Sequence, residues 1–115
     1  MPFDEKLAAR IRQAVRDRTD ITERKMFGGL SFLRDGRMCC GIVGQDLVVR
    51  VMDEEMPSLL RRADVRPMDF TGKPLRGFVY VAPRGVETDD QLRKWISKGL
   101  AFTEQDASTN RRRRR

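Results

Sequence analysis

The stretch KMFGGLSFLRDGRMCCGI, residues 25–42, sets the strongest limit on how this chain can fold. From position 23 to position 33 the side chains fall into two sets with a period of two, which predicts a β-strand. Asp35-Gly36 follows, and this dipeptide favours a type I′ turn because both central residues of that turn need positive φ. Residues 38–43 return as a second strand. We therefore expect an antiparallel hairpin at the centre of the fold.

Three more strands are predicted after this hairpin. Residues 44–46 supply a turn, and the segment LVVRVM at 47–52 is apolar almost throughout, which favours a central position in a sheet. Residues 66–70 and 78–82 have strand character, and Thr71-Gly72-Lys73-Pro74 between them supplies turn residues.

Two helices are predicted before the last segment of the chain. Asp4 can cap an amphipathic helix that should end near Arg18. A short second helix should lie within residues 53–62. Its start is expected near Met56, because Pro57 is tolerated only in the first turn of a helix.

The last helix has the clearest start. Thr88-Asp89-Asp90-Gln91 fits a capping box, in which a hydroxyl and an amide satisfy backbone N–H groups reciprocally. The helix should bury a stripe formed by Leu92, Trp95, Ile96 and Leu100. Residues 103–115 have no period and little apolar content, and a disordered polar tail is predicted there.

The predicted order α-β-β-β-α-β-β-α indicates an α+β fold, a two-layer sandwich of an antiparallel sheet with helices packed on it. With 115 residues the chain is expected to form one domain, residues 1–102, followed by the tail 103–115. No window approaches the roughly 20 apolar residues of a membrane span, and the N-terminus lacks the apolar core of a signal peptide. We expect a cytoplasmic protein without a membrane partner.

Positive charge is concentrated at the C-terminal end. Of the net charge of +7, five charges belong to the run Arg111–Arg115, which leaves +2 for residues 1–110. A run of like charge stays solvated and often acts as an interaction arm. A looser basic group could make an anion-binding face if its members converge. The tentative nucleic-acid-binding residues are therefore Arg61, Arg62, Arg66, Lys73, Arg76, Arg111, Arg112, Arg113, Arg114 and Arg115.

The glycine and cysteine pairs of the opening stretch favour a structural role. Gly28-Gly29 lacks the spacing of a phosphate-binding loop, and glycine in a strand usually marks a bulge, a bend or a close backbone approach. Cys39 and Cys40 should point to opposite faces of a strand, one into the core and one outside. We interpret them as small core residues that form no disulfide with each other. An interchain contact in a dimer is the alternative.

Catalytic equipment is sparse in this sequence. The chain has no histidine and two cysteines, so the histidine-based triads and a four-ligand zinc site are not expected. The acidic runs at 53–55 and 89–90 fall at helix starts, where carboxylates stabilise exposed N–H groups. We expect no enzymatic activity, no cofactor and no metal.

Several motifs together resemble the TfoX N-terminal domain family (TfoX/Sxy-like). They are MFGG at 26–29, the glycines of DGRM and CCGIV, LVVRV at 47–51, RPMDFTGKPLRGFVYV at 66–81 and a closing helix with Leu92, Trp95 and Gly99. The resemblance covers about residues 4 to 102. It implies an antiparallel sheet with helices on one side, like the secretion-chaperone fold.

For function, the resemblance implies regulation. The family is named after bacterial regulators of natural competence that act with the cyclic-AMP receptor protein at certain promoters. Those regulators carry a second, C-terminal domain, and this chain is expected to be a stand-alone N-terminal domain. The first hypothesis is a non-enzymatic interaction module that binds a protein partner and perhaps itself as a homodimer. The alternative is non-specific binding of nucleic-acid phosphates through the arginine tail.

Overall fold

The computed structural model describes residues 3–26, 28–70 and 73–113, of which residues 70, 73–76 and 105–113 are described by their backbone alone. Three helices are present: α1 (Glu5–Ala14), α2 (Met56–Leu59) and α3 (Asp89–Arg113). Short 3₁₀ turns at Asp53–Glu55 and Pro83–Gly85 precede α2 and α3. The six strands are β1 (Ile21–Met26), β2 (Gly29–Arg34), β3 (Arg37–Val43), β4 (Asp46–Arg50), β5 (Val65–Phe70) and β6 (Lys73–Val81).

The strands form one antiparallel sheet in the order β1-β2-β3-β4-β6-β5. The first four strands are neighbours in both sequence and space, so they form a meander of hairpins. The hairpin of β5 and β6 is then added on the far side of β4, with β6 inside and β5 at the edge. This confirms the predicted α+β class and the order of helices and strand groups.

All three helices contribute to one core on a single face of the sheet. Leu7 and Ile11 of α1, Leu59 of α2 and Trp95 of α3 belong to the same buried cluster as alternate residues of the strands. The strand residues of this cluster are Leu30, Phe32, Cys39, Cys40, Ile42, Leu47, Val49, Val65, Val79 and Val81. The helices therefore form one layer and the sheet the other, as the sequence predicted.

The first strand group contains four strands, where three were expected. Residues 23–33 were predicted as one strand, but the chain turns at Gly28, whose φ is +74°. Gly29 then begins β2 so close to β3 that a Cβ there would lie 1.9 Å from the backbone oxygen of Ile42. A side chain is impossible at that distance, which is the close approach that the glycine pair indicated. The alternation of side chains with a period of two continues through the turn, so the sequence pattern does not reveal the turn.

Local signals at the turns and helix starts are confirmed. Asp35 and Gly36 have φ values of +50° and +84°, as a type I′ turn requires. The backbone N–H of Gln91 donates to the Thr88 hydroxyl at 3.1 Å, and the N–H of Thr88 donates to the Gln91 amide oxygen at 2.9 Å. Asp4 accepts bonds from the first turn of α1, and α2 begins at Met56.

Helix ends follow the prediction less closely. Helix α1 ends at Ala14 rather than near Arg18, because Val15 leaves the helical region at φ −110° and ψ 13°. Helix α3 continues to Arg113, where the sequence suggested a disordered tail from position 103. Thr103 is buried, and its hydroxyl donates to the Leu100 carbonyl. No glycine or proline interrupts residues 103–113, so local propensity permits the helix to continue without an apolar stripe.

Candidate functional site

Both cysteines lie in the core, on the same side of the sheet. Between β2 and β3, Phe32 pairs with Cys40 and Leu33 pairs with Met38, so Cys39 is an extra residue without a partner in β2. This β-bulge interrupts the alternation of side chains. Cys39 is 1% exposed and Cys40 is fully buried, and neither forms a disulfide. The prediction that one thiol lies outside the core is therefore wrong, because it assumed an unbroken strand.

Helix α3 packs directly on the bulge. A Cβ built on Gly99 would lie 2.1 Å from the carbonyl oxygen of Cys39 and 3.2 Å from its sulfur. Only glycine permits the helix to come this close to β3. The bulge and Gly99 together set the distance between the helical layer and the centre of the sheet.

A charged cluster lies beside Cys39. The Asp20 carboxylate accepts bonds from the Arg18 guanidinium at 2.9 and 3.0 Å and from Nε of Arg34 at 3.0 Å. The hydrogen bond from Arg18 and then that from Arg34 lower the pKa of Asp20 to about 2. The cluster joins the loop after α1 to the end of β2.

The two thiols differ in acidity. A hydrogen bond from Cys40 lowers the pKa of Cys39, and the positive charges of Arg18 and Arg34 act in the same direction, against the effect of burial. The same hydrogen bond, together with complete burial, raises the pKa of Cys40. Cys39 therefore ionises more readily than Cys40, but its 1% exposure closes it to solvent in this conformation.

The described residues contain no group of three or more histidine, cysteine, aspartate or glutamate side chains placed to bind a metal ion. The two thiols alone fall short of the four ligands of a structural zinc site. The expectation that the chain uses no metal and no cofactor stays a prediction.

Two members of the predicted basic group, Arg62 and Arg66, have acidic partners in the structure. Arg62 donates two hydrogen bonds to the Asp64 carboxylate and lies 4.9 Å from the centre of the Trp95 ring. Arg66 binds Asp46 at 2.6 Å and lies over Tyr80. These contacts neutralise part of the charge that an anion would need.

The other tentative nucleic-acid-binding residues remain predictions. Arg61 is exposed next to α2. The side chains of Lys73, Arg76 and Arg111–Arg115 lie outside the described residues. The backbone of α3 nevertheless includes positions 111–113, so the first three arginines of the run extend a helix that is anchored in the core.

A groove between α1 and α3 was not predicted from the sequence. It has a volume of about 530 Å³, and most of the residues that line it are charged or polar. Its apolar lining includes Ala9, Ala14 and Leu92. Arg10 crosses it, with Nη2 3.5 Å from the Asp89 carboxylate and 3.4 Å from the Glu87 carbonyl oxygen. The groove joins residues almost eighty positions apart, and no local pattern in the sequence connects them.

The TfoX N-terminal domain matches residues 13–103, which include all six strands, α2 and most of the packed part of α3. The chain belongs to the TfoX N-terminal domain family. Comparison with curated proteins finds no match. Among the described residues, each helix is too short or too polar to cross a lipid bilayer.

Proposed function

We propose that this TfoX N-terminal domain is a non-enzymatic regulatory module that acts by binding a protein partner. The observation that carries the proposal is the family match over residues 13–103, which spans the whole sheet, α2 and the packed part of α3 rather than one cluster of side chains. A match to the whole domain, without a cluster of reactive side chains, favours a function in which the surface of the domain binds another molecule. The absence of histidine from the sequence also favours binding over acid–base catalysis.

We propose that the module acts in the regulation of transcription, including the regulation of competence. The family takes its name from regulators of competence, which makes a transcription factor the first partner class to test. A second copy of the chain is the other partner that we propose. Fold alone does not determine function, so the support for this step is the family relationship.

The experiment combines transcript measurements with site-specific crosslinking in the source cells. We expect deletion of the gene to change a defined set of transcripts and the wild-type gene to restore them. A photo-crosslinking residue at Ser97, on the exposed side of α3, is compared with one at Thr22, on β1; both positions are exposed. A specific partner should crosslink from one position and not from the other. Unchanged transcripts and equal, non-specific crosslinking would contradict the proposal.

Binding of nucleic acid is the second candidate, and the geometry of α3 favours it. The helix continues through Arg113, so it presents at least the start of the arginine run from a fixed base. Arginines on phosphates release counterions, which makes affinity fall steeply with salt. This binding would be independent of base sequence.

Replacement of Arg111–Arg115 by serine tests this candidate. With duplex DNA, we expect the slope of log affinity against log salt to become shallower by about 4.5, at roughly 0.9 for each of the five arginines. The matched control is R16S, which removes one exposed arginine outside the run and outside the predicted basic group. Equal salt dependence of the wild type and the serine variant would exclude the tail as a phosphate-binding arm.

A further inference from the structure

The two edges of the sheet differ in how they are protected. At the β5 edge, Pro67 removes a backbone donor and the register shifts between Pro67 and Asp69. Proline and bulges are devices that prevent an edge strand from pairing with another chain. Strand β1 has neither. Its six residues pair with β2 without interruption, from Ile21 opposite Arg34 to Met26 opposite Gly29. The outer side of β1 is therefore a regular row of backbone donors and acceptors.

Opposite charges lie two residues apart on one face of β1. Glu23 is paired with Phe32 and Lys25 with Leu30, so both side chains are on the face that carries the helices. Glu23 is fixed in position there, because Arg12 of α1 donates two hydrogen bonds of 2.8 Å to its carboxylate. Charged side chains on an edge strand usually discourage pairing with another chain. Here the two signs alternate along one face, so a second copy can place opposite charges next to each other.

Two-fold symmetry selects one register for pairing β1 with a second copy of itself. The axis must be perpendicular to the sheet, so residues that face each other lie on the same face of the joined sheet. When the axis passes through Arg24, Glu23 of each copy faces Lys25 of the other. A shift of the axis to Glu23 places two carboxylates opposite each other, and a shift to Lys25 places two ammonium groups there. Like charges directly opposite are destabilising.

We propose that the chain forms a homodimer by antiparallel pairing of β1 with β1 of a second copy, in the register centred on Arg24. The two sheets then form one continuous sheet with all helices on one side. Glu23 accepts from Arg12 of its own chain and from Lys25 of the second copy. The exposed Arg24 faces Arg24 of the second copy on the other face of the sheet, so this register sets one like-charge pair against two Glu23–Lys25 pairs. A register centred on Glu23 or on Lys25 contains a like-charge pair and no Glu–Lys pair. This inference rests on the proposed interaction function and names a second copy as one partner.

Sedimentation velocity over a concentration series measures the dimer directly. Because little more than one strand from each copy is buried, we expect dissociation in the micromolar range. K25E places a second carboxylate opposite Glu23 and should weaken the dimer at least tenfold. E23K should do the same by placing two ammonium groups together. The matched control is R61E, the same change of charge at an exposed position away from the edge, which should leave the dimer unchanged.

A mixture of K25E and E23K provides the decisive measurement. Each variant alone should be monomeric, whereas their mixture restores both opposite-charge pairs and should form a heterodimer with near wild-type affinity. Far-UV circular dichroism of each variant confirms that it is folded. A wild type that stays monomeric at millimolar concentration, or a K25E variant that dimerises normally, would overturn the inference. Loss of the dimer in K25E with unchanged regulation of transcripts would leave the proposed function in place and separate it from dimerisation.

Discussion

Asp20 shows how one side chain can connect distant segments. Its carboxylate binds Arg18 in the loop after α1 and Arg34 at the end of β2. Because these hydrogen bonds favour the ionised form, the pKa of Asp20 lies at about 2, below its ordinary value of 3.8. A carboxyl whose pKa is lower in the folded chain stabilises the fold above its ordinary pKa and loses this effect as pH falls toward the lower value.

Asp20→Asn should therefore lower the free energy of unfolding at pH 7, and the difference from wild type should shrink between about pH 4 and pH 2. Urea titrations at several pH values measure this change. Asp17→Asn is the matched control, because Asp17 is exposed and three residues away. A difference that is the same at pH 2 and pH 7 would mean that Asp20 acts through something other than its charge.

The orientation of the two cysteine side chains also depends on residues from a distant part of the chain. Cys39 and Cys40 share a face only because β3 contains one residue more than β2 between neighbouring ladder pairs. Nothing local in RMCCGIV distinguishes a bulged strand from a regular one, since the extra residue exists only relative to the partner strand. The orientation of a side chain next to a bulge therefore depends on pairing between strands.

Helix α3 and strand β3 are in close contact at Gly99, where a Cβ atom would lie 2.1 Å from the carbonyl oxygen of Cys39. Gly99 lies against the backbone of Cys39, where even a methyl group has no space. Overpacking at such a contact usually costs about 1–3 kcal/mol, because helix and strand must separate.

We expect Gly99→Ala to lower the free energy of unfolding by about 1–3 kcal/mol, although alanine has the better helix propensity. The midpoint of urea unfolding, followed by the fluorescence of Trp95, measures the loss. Ser97→Ala is the control, since Ser97 is exposed on the same helix and the change should be neutral or slightly stabilising. Equal stability of Gly99→Ala and wild type would show that the helix can shift without cost.

Element starts were the most predictable part of the fold. The capping box at Thr88 and the turn at Asp35-Gly36 work through bonds and backbone angles within four residues, so the local sequence contains all the information. The turn at Gly28 was missed because the alternation of side chains continues on both sides of it. The end of α3 was missed because a solvated helix needs no apolar stripe.

For the whole molecule, one core connects every layer. Residues from α1, α2 and α3 and from five of the six strands belong to a single buried cluster. Because three helices and five strands share this core, none of them can unfold while the others keep their packing. A domain of this size is therefore expected to unfold in one cooperative step.

We therefore expect coincident unfolding transitions from two probes. Trp95 fluorescence reports on the contact between α3 and the sheet, and far-UV circular dichroism reports on all helices and strands. Both should give the same midpoint in urea. Measurement at two protein concentrations controls for a contribution from dimer dissociation. Separate midpoints would show that α3 detaches from the sheet before the sheet unfolds.

The local and periodic features of this protein follow from the order of its residues. Caps, turns, apolar stripes and the α+β class depend on neighbours along the chain, and the motif pattern indicated the TfoX N-terminal domain family, which the match over residues 13–103 confirms. Three features arise only in the folded chain, namely the bulge that turns both cysteines inward, the groove between α1 and α3 and the difference between the two sheet edges. Each of these depends on which distant residues become neighbours, and the global packing of strands and helices sets that arrangement.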